Sequence, residues 1–240
     1  MQSTTKLNVR PLHPIGVEIL NLHLPALDAR APLFERLHDL LLRHGLVLIR
    51  KQALSDAQFQ KFGELFGTPG HVDDSDLSEL PMYTLLYGAE IPQDVEGRPP
   101  DETMFISALA AYQELAPELE TRLAGMHAVH GSDGKSEDIH HPVLRAHPLT
   151  GKCVLFVSEG HVTRIAELPE DESTALLDQL FAHLASDKYV YRHKWKPGDL
   201  MIWDQNSIQH KAGSDYKPEQ SSCIKRITIK TSSRQITAHD

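Results

Sequence analysis

Residues 189–210, YVYRHKWKPGDLMIWDQNSIQH, constrain the fold more than any other part of the chain. They indicate one strand, a Pro197-Gly198-Asp199 turn, an apolar strand and a polar segment that ends in His210. Two strands joined by a tight turn are typical of β-rich folds. A histidine in this position suits a metal site at the mouth of a small β-barrel.

Composition narrows the class of protein. The 240 residues are enough for a sizeable core, and 40% hydrophobic with 24% charged residues is ordinary for a globular protein. The net charge of −9 argues against a nucleic-acid partner. The two cysteines, Cys153 and Cys223, lie in apolar runs and are expected to be reduced thiols.

No apolar leader opens the chain, and nowhere do 18 apolar residues run together. We therefore expect a cytoplasmic protein with no membrane segment.

Hydrophobic spacing predicts one domain over residues 1–240, mostly β with flanking helices (α+β). Helices are expected at about 31–66, in two pieces separated by a buried strand, and at 170–185. Residues 68–80 are predicted to be a polar loop. Many short strands with turn signals predict a double-stranded β-helix, or jelly-roll barrel, buttressed by those helices.

Non-haem Fe(II) oxygenases bind iron with two histidines and one carboxylate, which leaves other positions open for a co-substrate and O₂. A strand supplies two of these ligands when His and Asp stand two residues apart, because side chains alternate. With 15 histidines in the chain, any single one is weak evidence.

Five stretches together resemble the taurine dioxygenase (TauD/TfdA) family of Fe(II)/2-oxoglutarate-dependent dioxygenases. They occur in the family's order and cover most of the chain. They are LLRHGLVLIRKQALSDAQFQKFGELFG (41–67), MYTLLYGAEIP (82–92), DETMFISALAAYQELAPELETRLAGMHAVH (101–130), HPVLRAHPLTGKCVLFVSEGHVTRI (141–165) and YRHKWKPGDLMIWDQNSIQH (191–210).

The resemblance implies a site and a reaction. His210 matches the distal iron ligand, Thr103 the threonine that hydrogen-bonds 2-oxoglutarate, and Arg226 the arginine that meets the substrate's anionic group. The implied cofactors are Fe(II) and 2-oxoglutarate, and the implied partners are O₂ and a small anionic substrate, which is hydroxylated with release of succinate and CO₂. A homo-oligomer is left open.

Three departures from the family stand beside this match. The Trp-His-x-Asp segment that supplies the first two iron ligands is missing where Pro81 joins Met82. Ser222 replaces the arginine expected to pair with the far carboxylate of 2-oxoglutarate. Gln205 and Lys225 stand where the family usually has Asn and His.

One His-x-Asp sequence remains, at His71 and Asp73, and two interpretations of it stay open. With His210 it would complete a triad of ligands. Its position instead matches the loop before the family's ligand strand, and Gly70 with the acidic run that follows favours a solvated turn.

The missing segment also leaves two explanations open. Either the protein has a metal-binding segment that these 240 residues do not include, or the chain is a shortened homologue that has lost its iron site. The first predicts a dioxygenase. The second predicts a catalytically inactive homologue that acts as a binding or assembly protein.

Overall fold

The computed structural model describes residues 6–24, 32–70, 81–91, 102–131, 139–211 and 224–230. The helices are α1 (Pro32–His44), α2 (Asp56–Glu64), α3 (Ala108–Gln113), α4 (Pro117–Leu123) and α5 (Glu170–Leu184). The strands are β1 (Val9–Pro11), β2 (Val17–Ile19), β3 (Leu46–Ile49), β4 (Thr68–Gly70), β5 (Tyr83–Gly88), β6 (Thr103–Ser107), β7 (His127–His130), β8 (Ile139–Pro142), β9 (Leu144–Ala146), β10 (Cys153–Leu155), β11 (Val162–Ile165), β12 (Val190–His193), β13 (Asp199–Asp204), β14 (Ile208–Lys211) and β15 (Ile224–Lys230).

The largest sheet has the strand order β1-β2-β3-β13-β5-β15-β4. Strand β13 lies near its centre, antiparallel to both β3 and β5, and all six of its residues are buried. A strand buried on both faces reads as a continuous apolar run, which is the pattern of the LMIW segment. Strand β15 follows on the other side of β5, so early and late parts of the chain share one sheet.

Three smaller sheets complete the fold, with the orders β12-β6-β14, β11-β7-β8 and β10-β9. The sheet β12-β6-β14 faces the large sheet, and the rings of Phe105 on β6 and Trp203 on β13 meet with centroids 5.3 Å apart. These rings belong to a buried cluster between the two sheets that includes Leu48, Leu86 and Met201. Two facing sheets with a common core are the arrangement predicted for a jelly roll.

Helices cover the outer surfaces, as predicted. The apolar sides of α1 and α2, including Leu37, Leu41 and Phe59, pack in the same cluster as the outer residues of the large sheet. Helix α5 packs against a second cluster with β10 and β11 through residues such as Leu176 and Leu180. None of the described helices is long and apolar enough to cross a membrane.

One predicted loop is partly a strand. The polar loop predicted over residues 68–80 begins with β4, whose residues pair with Thr228, Ile229 and Lys230 of β15. The prediction was wrong for residues 68–70. Their partner strand, β15, lies about 160 residues later in the chain, so no local sequence pattern indicates the pairing. Residues 71–80 lie outside the described part of the chain.

Candidate functional site

The imidazole of His210 lies between two aromatic rings on the inner face of the sheet β12-β6-β14. In the antiparallel pair of β14 and β6, His210 stands opposite Phe105, and their ring centroids are 5.5 Å apart. The indole of Trp203, which comes from the opposite sheet, stacks on the imidazole at 5.1 Å and 24°. The side chain is half-buried. It is therefore packed on the barrel interior while part of it stays accessible.

Gln205 holds the indole that stacks on His210. The Nε1–H of Trp203 donates to Gln205 Oε1 at 2.8 Å, and Gln205 Nε2 donates to Thr84 Oγ1 at 2.8 Å. Gln205 is longer than the Asn usual in the family, and its side chain links Trp203 on β13 to Thr84 on β5. Lys225, which stands where the family usually has His, forms an ion pair with Asp56 at the start of α2.

Thr103 begins β6, two residues before Phe105, so both side chains point to the same inner face. It is 5% exposed, and its Oγ1 accepts a hydrogen bond of 2.8 Å from Trp195 Nε1. An indole N–H can only donate, so the threonine oxygen acts as acceptor here. Within the described ranges, no acceptor for the Thr103 hydroxyl hydrogen is seen.

Strand register places Arg226 on the side of the large sheet that faces His210. Arg226 stands opposite Leu86, and Leu86 stands opposite Met201 on β13. Opposed residues of neighbouring strands point to the same face. Met201 and Leu86 belong to the buried cluster between the two sheets that also contains Trp203. The Arg226 side chain is exposed.

Strand register thus places three of the residues predicted from sequence on the facing sides of two sheets: His210 and Thr103 on one sheet and Arg226 on the other. The other predicted site positions, His71, Asp73 and Ser222, lie outside the described residues. Within the described ranges, no three His, Cys, Asp or Glu side chains are grouped so that they could hold a metal ion. The described residues by themselves therefore form no complete set of three iron ligands.

A buried histidine–aspartate pair, which the sequence did not reveal, precedes β14. His147 Nε2 lies 2.6 Å from Asp204 Oδ2, and both side chains are almost fully buried. The backbone N–H groups of Leu149 and Thr150 donate to His147 Nδ1, so the ring proton is on Nε2 and donates to the carboxylate. Asp204 Oδ1 in turn accepts from the N–H of Asn206, which fixes the turn that leads to His210.

Comparison with known proteins identifies the family. The family model "Taurine catabolism dioxygenase TauD, TfdA family" matches residues 8–70 and 66–228. The chain belongs to the TauD/TfdA family. The match is broken near residue 70, shortly before the position where the Trp-His-x-Asp segment is missing.

Individual relatives agree with the family match. An alkylsulfatase from Acinetobacter baylyi is 27% identical over 281 residues, which cover 94% of this chain and 86% of the relative. An alpha-ketoglutarate-dependent sulfonate dioxygenase from Saccharomyces cerevisiae is 30% identical over 162 residues, 61% of this chain and 38% of the relative. A taurine dioxygenase from Burkholderia xenovorans, known from its crystal structure, is 27% identical with a TM-score of 0.80, covering 94% of this chain and 90% of that one.

The alignment with the alkylsulfatase runs over 281 residues and so exceeds the 240 residues of this TauD/TfdA chain. It must include positions at which the relative has a residue and this chain has none. This agrees with the internal gap inferred at Pro81.

Membership confirms the predicted family, the jelly-roll fold and the class of activity, Fe(II)/2-oxoglutarate-dependent oxygenation of a small molecule with those two cofactors. The described residues fit part of that chemistry. His210 would offer one imidazole to iron, and Thr103 would offer one hydroxyl to a carboxylate of 2-oxoglutarate.

Proposed function

We propose that the protein is a cytoplasmic dioxygenase that hydroxylates a small organic anion, with 2-oxoglutarate and O₂ as co-substrates. Fe(II) with 2-oxoglutarate supplies the oxidising chemistry, and succinate and CO₂ are released with the hydroxylated product. The placement of His210 and Thr103 on one sheet, with Arg226 on the facing side of the opposite sheet, supports this proposal. The cytoplasmic location is an expectation from the sequence, and a homo-oligomer remains a prediction.

Each residue has a separate part in this proposal. His210 binds the metal, and the rings of Trp203 and Phe105 limit its rotation. Thr103 donates its hydroxyl hydrogen to a carboxylate oxygen of 2-oxoglutarate, while Trp195 occupies the acceptor side of the same oxygen. Arg226 meets the anionic group of the substrate from the opposite sheet, where a guanidinium matches a carboxylate or sulfonate with two parallel hydrogen bonds.

Substitution of His210 tests the proposal directly. The His210→Ala variant should bind Fe(II) at least about 100-fold more weakly, because it loses a ligand, whereas loss of an outer-shell partner alone costs about 10- to 100-fold. The measurement is bound iron after anaerobic loading, together with the visible charge-transfer band in the presence of 2-oxoglutarate. His140→Ala, at an exposed position on β8, is the matched control. Equal iron binding by His210→Ala and the wild type would contradict the proposal.

His71 and Asp73 are the candidates within this chain for the other two ligands. If they ligate iron, His71→Ala and Asp73→Ala should each reproduce the loss of iron seen with His210→Ala. If both variants keep the wild-type iron content, the solvated-loop interpretation of this segment is correct and the ligands come from a segment outside these 240 residues.

A non-catalytic binding or assembly protein is the second candidate. The absence of a three-ligand group from the described residues and the serine at position 222 favour it. Metal analysis of the wild type separates the two candidates. About one iron per chain supports the enzyme, and no iron above the level of His210→Ala supports the binding protein.

A further inference from the structure

Arg145 on β9 is a cation without a counter-ion in the described chain. Its Nη1 atom is buried and has no hydrogen-bond acceptor among the described residues. Its guanidinium carbon lies 4.8 Å from the centroid of the Phe156 ring. Burying a charged group without a partner costs free energy, so a function is expected for this arginine.

A second buried polar atom without a partner belongs to His130 on β7. The residue is 5% exposed, and its Nε2 atom has no hydrogen-bond partner within the described ranges. Burial, together with the nearby charges of His141, His161 and Arg145, lowers the pKa of His130 to about 4. The imidazole is therefore neutral at pH 7, with one ring nitrogen carrying a hydrogen and able to donate it.

Phe156 connects the two groups. Its ring lies 5.4 Å from the His130 ring at an interplanar angle of 31°, and the Arg145 guanidinium lies over the same ring. The backbone N–H of Phe156 donates to the carbonyl of Val143 at 2.7 Å, which ties the ring to the segment between β8 and β9. Arg145 and His130 thus both lie beside one aromatic side chain, and Arg145 Nη1 and His130 Nε2 have no hydrogen-bond partner among the described residues.

The cluster adjoins the strand that carries His210. Gln209 Nε2 donates to the carbonyl of Val157 at 2.6 Å, and Val157 follows Phe156 directly. Arg226, in contrast, comes from β15 of the large sheet. The Arg145 cluster and Arg226 are therefore separate positive groups on different sheets.

We propose that Arg145 and His130 form a binding site for an oxyanion, either a free inorganic anion or the carboxylate or sulfonate end of a small organic molecule. The guanidinium supplies charge and a planar pair of N–H donors, and the imidazole supplies a further donor. The Phe156 ring packs against one face of the guanidinium, and the N–H donors at the guanidinium edge are left for the ligand. This site does not depend on iron or 2-oxoglutarate.

The test uses the metal-free full chain, so its outcome is independent of the proposed dioxygenase activity. Sodium methanesulfonate and sodium sulfate are titrated against sodium chloride of equal ionic strength, and binding is read from the saturable rise in melting temperature and from calorimetry. Arg145→Met should weaken binding about tenfold or more, because a charge-assisted hydrogen bond is lost. His130→Phe, which keeps a ring beside Phe156, should weaken it roughly threefold.

Arg122→Met, at an exposed position on α4, is the matched control and should bind like the wild type. In sodium chloride alone, Arg145→Met should melt no lower than the wild type, since no partner within the chain is lost. Tighter binding of methanesulfonate assigns the site to an organic ligand, and tighter binding of sulfate assigns it to an inorganic anion; either supports the proposal.

Three results would overturn it. One is no saturable response in the wild type, and another is an equal response in Arg145→Met. The third is a strongly destabilised Arg145→Met variant in chloride with no effect of either oxyanion, because a carboxylate of the chain itself would then be the partner of Arg145.

Discussion

At the scale of single residues, two aromatic rings and one amide define the surroundings of His210. Trp203 and Phe105 restrict the imidazole on two sides, and Gln205 fixes the indole by a hydrogen bond. The substitution of Gln for the family's usual Asn is therefore accommodated by a contact across two strands. Ser222, by comparison, is uncharged where the family has an arginine.

Restoring the arginine at position 222 tests how much this loss matters. Ser222→Arg should tighten the binding of 2-oxoglutarate by about tenfold or more, because an arginine–carboxylate pair adds charge-assisted hydrogen bonds. Kd is measured by calorimetry on the Fe(II)-loaded protein under anaerobic conditions. Ser221→Arg adds the same charge at the neighbouring position and is the matched control. Equal effects of the two variants would show that net charge, and not the position, is responsible.

His130 gives the stability of the protein a dependence on acid pH. Its pKa of about 4 in the folded state is below the ordinary value of 6.5, so the unfolded state binds the proton more tightly between these two values. The free energy of unfolding should therefore fall as the pH decreases from about 6.5 to about 4, by on the order of 1–2 kcal/mol after screening.

Urea unfolding at several pH values between 4 and 7 measures this effect. His130→Gln removes the titrating group and should flatten the dependence, while His140→Gln, at an exposed position on β8, should leave it as in the wild type. The assignment to His130 fails if both variants keep the full wild-type slope.

At the scale of elements, the end of α1 and the beginning of β14 are fitted closely together. Gly45, which follows α1, has a φ of +71°, and a Cβ there would lie 2.9 Å from Ile208 Cγ1 and 3.0 Å from Ser207 Oγ. The N–H of Asp204 donates to the carbonyl of Gly45. The end of α1 is thus hydrogen-bonded to Asp204, at the start of the turn that leads to His210, and lies close to Ser207 and Ile208 at its end.

Gly45→Ala should reduce the free energy of unfolding by about 2–4 kcal/mol, because left-handed backbone strain adds to a steric conflict with Ile208. Gly125→Ala is the matched control. Its φ is +80°, yet nothing lies within 4 Å of the added Cβ, so it should cost only about 1 kcal/mol. Urea unfolding of both variants checks this difference. Equal losses would mean that the contact with Ile208 relaxes at no cost.

At the scale of the whole molecule, the large sheet interleaves distant parts of the chain. Strand β13 lies between β3 and β5, and β15 lies between β5 and β4. Removing either late strand would expose the buried faces of early ones. The single domain predicted over residues 1–240 is consistent with this topology and remains a prediction.

Equilibrium unfolding checks it. We expect one cooperative transition, with the same urea midpoint by tryptophan fluorescence and by far-ultraviolet circular dichroism, because the two tryptophans lie in the buried cluster between the sheets. The Trp203→Phe and Trp195→Phe variants, which each leave one indole, should report the same midpoint by both methods. Two separated transitions would show that part of the chain unfolds independently.

The sequence by itself determined the elements whose signals are local. The spacing of apolar residues predicted α1, α2 and α5, the run LVLI predicted β3, and Ser55 predicted the beginning of α2, where it forms a capping box with Gln58. The motifs that resemble the TauD/TfdA family then pointed to His210, Thr103 and Arg226. These signals are readable because each depends on residues a few positions apart.

Only the tertiary structure decided what depends on distant pairing. The contact between Trp195 and Thr103, the hydrogen bond of His147 to Asp204 and the strand at residues 68–70 each join residues tens to more than a hundred positions apart. The same holds for Arg145 Nη1 and His130 Nε2, which are buried by strand packing and have no hydrogen-bond partner in the described part of the chain. Burial and pairing are properties of the assembled sheets, and a single stretch of sequence does not carry them.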